Sequence, residues 1–332
     1  MLYLLDIIIP IYNTPEEYLV RALNSINRQK GVDFKSINII IIDDASKKIR
    51  YKKSWFKQRF PKLKITYLVN KENVGPGVAR QNAIDAGNGK YITFLDSDDE
   101  FVGEYSIGKI ISFMEEYNLF KVSTSINEEV YVQKELMNIK HNNLTLQSLH
   151  ALYLRRDFLS KNNIKFNDRL RRYEDLYYIC LVNSIAGENQ AFIDEITYNW
   201  KWNENSLMRN TGQEYPDLDD QIYAITEAHK VLSEKKLLNS RYFVSDMTLI
   251  YLIINSNIMD ISTYKNFKDK FAEIFNKQIE DNIEIFEKVN NDFIEECISR
   301  NYNSLCSSYP WIEIRCNSND FINSIKITYN NK

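Results

Sequence analysis

A chain of 332 residues with 44% hydrophobic and 26% charged side chains can bury a sizeable core, as one large domain or two smaller ones. Its net charge of −3 shows no basic excess, which argues against nucleic acid as the partner. No apolar run approaches the roughly 18 residues of a membrane span, and Asp6 interrupts the first apolar stretch, so neither an anchor nor a signal peptide is expected.

From the amino terminus, Leu2–Ile9 is apolar apart from Asp6 and predicts a central strand ended by Pro10. Thr14, Pro15 and Glu17 follow as an N-cap, a first helical residue and the acid of a capping box. Leu19, Ala22, Leu23 and Ile26 then mark one face of a helix. Ile37–Ile42 predicts a second strand ending on Asp43-Asp44. Strand, helix and strand in this order form a βαβ unit, so the sheet is parallel here. A basic segment, Lys47–Lys64, predicts a helix around Trp55, Phe56 and Phe60 stopped by Pro61, and Ile65–Val69 a third strand. Asn73-Val74-Gly75-Pro76-Gly77 opens a helix that Gly87 or Gly89 closes, and a strand at Tyr91 follows.

Farther on, Ile107–Tyr117 predicts a helix, and Lys121–Val132 a mixture of strand and loop. His150–Arg156 is a second aromatic and basic segment, and Glu174-Asp175 head an apolar helix. The composition shifts around Gly212–Pro216, beyond which Ile222, Ile225, His229, Leu232 and the run Phe243–Ile254 read as helices. This divides the chain into residues 1–212 and a helical part, 213–332. Cys180, Cys297, Cys306 and Cys316 show no C-x-x-C spacing and read as reduced thiols, so a cytoplasmic protein is expected, with work at the inner face of a membrane left open.

The stretch with most chemistry is Tyr91–Glu100, an uncharged strand running into Asp96, Asp98, Asp99 and Glu100. Acids this dense repel one another and require a cation, hydrogen-bond donors or water. In an open α/β sheet the carboxyl ends of the strands are also where ligands bind. Mg²⁺ or Mn²⁺ takes oxygen ligands and commonly shares them with a substrate phosphate. Asp96 and Asp98 are therefore candidates for a metal–diphosphate site. Arg80 could offer the phosphates a fixed positive charge, Asp44 could accept from a base N–H, and the Pro10–Asn13 loop could wall one side.

Five blocks in fixed order, Asp6–Asn13, Ile42–Ser46, Asn73–Arg80, Phe94–Asp99 and Glu174-Asp175, resemble family 2 glycosyltransferases of the GT-A fold. The resemblance covers residues 5–205 and is closest to bacterial enzymes that glycosylate wall polymers or surface polysaccharides. It implies an α/β fold, a Rossmann-like, mostly parallel sheet flanked by helices, with a smaller helical carboxyl-terminal domain for acceptor binding or self-association. It implies that Pro10, Tyr12, Asn13 and Asp44 hold the nucleobase, typically uracil, and that Asn73 and Arg80 support the nucleotide. Asp96 would lie at the ribose and metal, Asp98 would bind the Mn²⁺ or Mg²⁺, and Asp175, with Glu174 beside it, would be the catalytic base of a single inverting displacement. The donor would be a UDP-sugar and the acceptor a glycan or other polymer.

Two departures stand out, the lesser being Gln81 where many relatives have Asn. Some relatives supply a metal-binding His after the acid pair, whereas Tyr198–Trp202 here offers aromatics, so the metal could rest on Asp98, phosphate oxygens and water. Trp200 and Trp202 could stack on a sugar or pack in the core. A dinucleotide-binding reading of Gly75-x-Gly77 fails because Arg80 occupies the third glycine position. A non-catalytic nucleotide-sugar-binding module, or transfer to a protein or a modified base, are the alternatives.

Overall fold

The computed structural model describes residues 3–48, 51–132, 135–142, 148–203, 218–257, 261–308, 313–314 and 317–330. The chain divides into two compact units, Met1–Gln221 and Ile222–Lys332. The Gly212–Pro216 composition shift and Cys316 lie outside the described residues.

The first unit opens with β1 (Leu5–Ile11), α1 (Glu16–Asn27), β2 (Ile37–Asp43), α2 (Lys53–Arg59), β3 (Ile65–Val69), α3 (Pro76–Ala86) and β4 (Tyr91–Phe94). It continues with β5 (Glu100–Phe101), α4 (Ser106–Glu116), β6 (Lys121–Val132), β7 (Glu135–His141), β8 (Leu152–Arg155), α5 (Arg156–Asn162), α6 (Glu174–Ala186) and β9 (Gln190–Trp200). The sheet order is β3-β2-β1-β4-β8-β6-β9-β5, with β7 paired to β6. The first four strands are mutually parallel, and β8 runs antiparallel between β4 and β6. Because β1, β2 and β4 are parallel, the loops leaving them emerge on one edge of the sheet, where an open α/β sheet binds ligands.

The unbroken isoleucine runs of β1 and β2 reflect burial on both faces: Ile7, Ile8, Ile9, Ile40 and Ile41 are inaccessible. Asp6 is tolerated among them because Arg156 Nη2 (2.5 Å), the Gly89 N–H (2.7 Å) and Asn38 Nδ2 (3.0 Å) all donate to its carboxylate. As expected, α1 buries Leu19, Ala22, Leu23 and Ile26, and α3 starts after Gly75 and stops before Gly87.

Several local expectations are corrected. β1 runs through Pro10 to Ile11. The Leu4 and Ile8 carbonyls accept from Tyr91 and Leu95 N–H, so even-numbered residues of β1 face β4. The β4 ladder ends opposite Ile8, and Pro10 therefore lacks an N–H only where no strand would receive it. Thr14 does not cap α1; Pro15 does, without a side-chain bond, and the Thr14 hydroxyl instead meets Ser97 Oγ at 2.9 Å. The helix of the basic segment is confined to Lys53–Arg59, and Lys121–Val132 is one continuous strand.

The second unit is helical. α7 (Leu218–Glu234) leads into it, followed by α8 (Ser240–Asn255), β10 (Ser256–Asn257), α9 (Ile261–Asp281), α10 (Ile283–Phe286), α11 (Asn291–Ser308), β11 (Glu313–Ile314) and α12 (Ser318–Asn330). Ile222, Ile225, His229 and Leu232 are buried as their spacing predicts, and His229 Nε2 lies 2.9 Å from Asp246 Oδ2. No helix among the described residues is long and apolar enough to cross a membrane.

Candidate active site

The turn after β4 is held from below by β9 and its continuation. The Asp96 N–H donates to Tyr198 Oη (3.1 Å), which donates to Asp99 Oδ2 (2.8 Å), while the Lys201 N–H donates to Asp99 Oδ1 (2.8 Å). Asn203 Nδ2 donates to Asp98 Oδ2 at 2.7 Å, and Arg21 donates to the Asp98 carbonyl. Asp99, with both oxygens engaged and 1% exposed, is a support; Asp96 and Asp98 line the cleft above it. Burial, then repulsion from Asp98, pushes the Asp99 pKa well above the usual carboxylate range.

Arg80 reaches up from α3 into this turn. Its Nη2 donates to Asp96 Oδ1 (2.7 Å) and its Nη1 to Glu174 Oε1 (2.9 Å). The sequence reading offered its charge to phosphates. The guanidinium of this buried residue is shared between two carboxylates, as a buried cation must be. It lines the cleft and also acts as a strut between the acidic turn and the start of α6. Burial works against the ionised form of Asp96, yet Arg80 and His150 overcome it and hold its pKa far below the ordinary value. Burial and the adjacent Asp175 carboxylate push Glu174 up, against the pull of Arg80. Asp175 is raised as well, by burial, with the Leu176 N–H (2.8 Å from Oδ1) opposing.

His150 was not singled out from sequence. Its Nε2 lies 3.4 Å from Asp96 Oδ2 and 3.8 Å from Asp99 Oδ2, and its ring stacks on Tyr198 at 4.9 Å. Burial disfavours the imidazolium, but Asp96 and Asp99 more than offset that, and its pKa is raised. Ligand atoms of Asp96, Asp99 and His150 come within 4.8 Å of one another. A lone His before a strand carries no spacing signal, which is why only the folded chain reveals it. Trp200, 5.1 Å from His150, lines the same cleft; Trp202 packs on Tyr131 at 5.0 Å.

Four non-glycine residues next to site residues have left-handed backbones: Asn13 (φ 50°), Ala45 (φ 59°), Ala151 (φ 55°) and Tyr173 (φ 56°). They directly precede or follow Tyr12, Asp44, His150 and Glu174. Strained dihedrals of this kind cost about 1–3 kcal/mol each and persist where surrounding structure over-determines them.

On the β1–β2 side, Pro10, Tyr12, Asp44, Asn73 and Gly75 line a pocket of ≈ 400 Å³ with Arg80, Asp96 and Asp98. Tyr12 is half exposed and presents its ring. Asp44 accepts from Asn70 Nδ2 and the Val74 and Gly75 N–H groups, which leaves acceptor capacity on Oδ2. Asn13 Oδ1 accepts from the Lys47 and Lys48 N–H groups, so its side chain shapes the loop beneath the pocket. Arg171, which the sequence reading did not single out, lies on this wall and donates to Asn73 Oδ1 (3.2 Å) and the Asn73 carbonyl (3.1 Å). A second, wider cleft of ≈ 680 Å³ shares Tyr12, Arg80, Asp96 and Asp98 and adds His150, Glu174, Asp175 and Trp200. Asp98 and Asp175 thus line one cleft although they are far apart in the chain.

The family model described as glycosyl transferase family 2 matches residues 6–174, just over half of the chain. The chain belongs to glycosyl transferase family 2. Among curated family relatives, the minor teichoic acid biosynthesis protein GgaB of Bacillus subtilis is 27% identical over 61% of this chain and 23% of its own length. Glycosyltransferase GlyA of Streptococcus pneumoniae is 23% identical over 80% of this chain and 40% of its own length. The chain spans less than half of each of these relatives. The structure of S. aureus TarS residues 1–349 in complex with UDP-GlcNAc superimposes with a TM-score of 0.66 at 15% identity, covering 94% of this chain and 97% of that one. At that identity the likeness speaks for the fold, which is the α/β GT-A arrangement with a helical carboxyl-terminal part.

The residues present fit a divalent cation. Asp96, Asp99 and His150 bring hard oxygen and borderline nitrogen donors together, with Asp98 lining the same cleft, and the Asp98 repulsion that adds to burial in raising Asp99 is what a cation beside these acids would relieve.

Proposed function

We propose that this glycosyltransferase moves a sugar from a UDP-sugar to a hydroxyl of a glycan or wall polymer, with inversion and with Mn²⁺ or Mg²⁺ as cofactor. The observation that carries this reading is the shared cleft, which the Asp96–Asp98 turn, Tyr12 and Asp175 all line. The teichoic acid relatives support a wall-polymer acceptor, and TarS, crystallised with UDP-GlcNAc and with UDP, supports the donor class.

Tyr12 stacks on the uracil between Pro10 and Asp44, whose free lone pair accepts the base N–H; Asn13 and Asn73 hold the surrounding loops. Asp98 and Asp96 would hold the cation, and His150, whose Nε2 lies 3.4 Å from Asp96, could join them. When bound, the cation neutralises the charge that develops on the departing diphosphate. Asp175 accepts the proton of the acceptor hydroxyl as its oxygen forms the bond to the anomeric carbon, and the electron pair of the breaking C–O bond leaves with UDP. Glu174 has its Oε1 engaged by Arg80, which leaves Asp175 as the base. We assign transfer to residues 1–212 and acceptor binding or self-association to residues 213–332.

The test is release of UDP from a panel of UDP-sugars with Mn²⁺ and a teichoic or glycan acceptor. Asp175→Asn should lower turnover about 10²–10⁴-fold while UDP affinity, measured by calorimetry, stays near that of the parent chain. Substantial transfer by this variant would remove Asp175 from the mechanism.

A further inference from the structure

Beyond its pairing with β9, which ends at Glu128 opposite Trp200, β6 continues with β7 as its one strand partner among the described residues. The two form a ribbon that runs past the sheet. Its side chains are unusually apolar for an exposed element: Tyr131 is 50% exposed, Leu136 47%, Met137 48% and Ile139 40%. Among the described residues, the outer edge of β7 pairs with no strand. An open edge of this kind templates pairing with another chain, and natural edges are blunted by prolines, bulges or charges along the strand. β7 places Glu135 and Lys140 towards its ends and leaves Leu136-Met137-Asn138-Ile139 between them.

The sequence of β7 is complementary to itself. In an antiparallel pair of two copies centred on Asn138, Met137 stands opposite Ile139 of the second copy, Leu136 opposite the aliphatic stem of Lys140, and Glu135 opposite His141. Each match occurs twice, once on each side of the axis, and no like charges meet. Moving the centre by one residue to Met137 puts Glu135 opposite Ile139 and loses the match. A self-matching strand is what a two-fold interface requires, because the same patch serves both subunits.

We propose that the β6–β7 ribbon is a dimerisation arm, in which β7 pairs antiparallel with β7 of a second copy and joins the two sheets edge to edge.

Sedimentation velocity of the full chain across a wide concentration range should show reversible association from monomer to dimer. The double variant Met137→Lys, Ile139→Lys sets lysines opposite one another across the axis and should remain monomeric, with an unchanged far-UV circular dichroism spectrum. Independently, Asn138→Cys should form an intermolecular disulfide under mild oxidation, since residue 138 faces its own copy at a spacing a disulfide spans. Leu136→Cys should not, because its counterpart lies four residues away along the strand, about 13 Å. A monomer at every concentration, a dimer that survives the double lysine variant, or equal cross-linking at positions 136 and 138 would each overturn the proposal. So would binding of the monomer to lipid vesicles through these side chains.

Discussion

Arg80 Nη1 and Glu174 Oε1 lie 2.9 Å apart, joining the helix after the third strand to the helix that carries the acid pair. The other arm of the guanidinium grips Asp96. One buried side chain therefore sets the distance between the acidic turn and Asp175. Removing it leaves buried carboxylates without their counter-charge, so Arg80→Ala should lose about 3–5 kcal/mol of stability, read from urea denaturation, and most of the transferase activity. Arg80→Lys should recover part of the stability but little of the activity, because an ammonium lacks the planar fork that spans two carboxylates.

Gly77 lies under the same ion pair. A Cβ there would fall 2.7 Å from Glu174 Cγ and 2.9 Å from its Cβ. Glu174 cannot swing aside without breaking its bond to Arg80. Gly77→Ala should thus cost about 1–3 kcal/mol and reduce turnover more than UDP affinity. Unchanged melting temperature and turnover would show that Glu174 moves freely.

The pH dependence follows from burial of the acid pair. Asp175 must be ionised to accept a proton, and burial raises its pKa. The acidic limb of kcat/KM should therefore lie above the ordinary Asp value of about 3.9. Because the folded state holds protons on Glu174 and Asp175 that the unfolded chain has released, stability should fall as pH rises from the ordinary carboxylate range through the raised folded values. Asp175→Asn removes one of these protons and the repulsion on Glu174, so the fall should be shallower in that variant. Equilibrium denaturation at a series of pH values checks both.

Lys121 offers a second, independent titration. It lies buried where β6 meets β9, and its Nζ donates to Asn183 Oδ1 (2.5 Å) and Gln190 Oε1 (2.8 Å). Burial lowers its pKa from 10.5 to about 8, a cost of about 3 kcal/mol while the unfolded chain is also protonated. Between those two values the unfolded chain holds the proton and the folded one does not, so this contribution to stability rises with pH. Lys121→Met should abolish the rise. A stability curve that is flat from pH 8 to 10 in the parent chain would contradict it.

The strand and helix succession up to Tyr91, the turn of acids after it, the acid pair heading α6 and the helical carboxyl-terminal part were all legible in the sequence. Each is written locally, as an apolar run, a helical spacing or a glycine beside a proline, and parallel βαβ topology then brings the strand ends together with no further information. What only the tertiary structure decided are contacts between segments distant in the chain. They include His150 beside Asp96, Arg80 shared between Asp96 and Glu174, Thr14 turned to Ser97 instead of capping its own helix, and Pro10 inside a strand because its neighbour had already ended. A hydroxyl or guanidinium takes whichever partner folding brings within 3 Å or so, and when that partner lies a hundred residues away no periodicity records it.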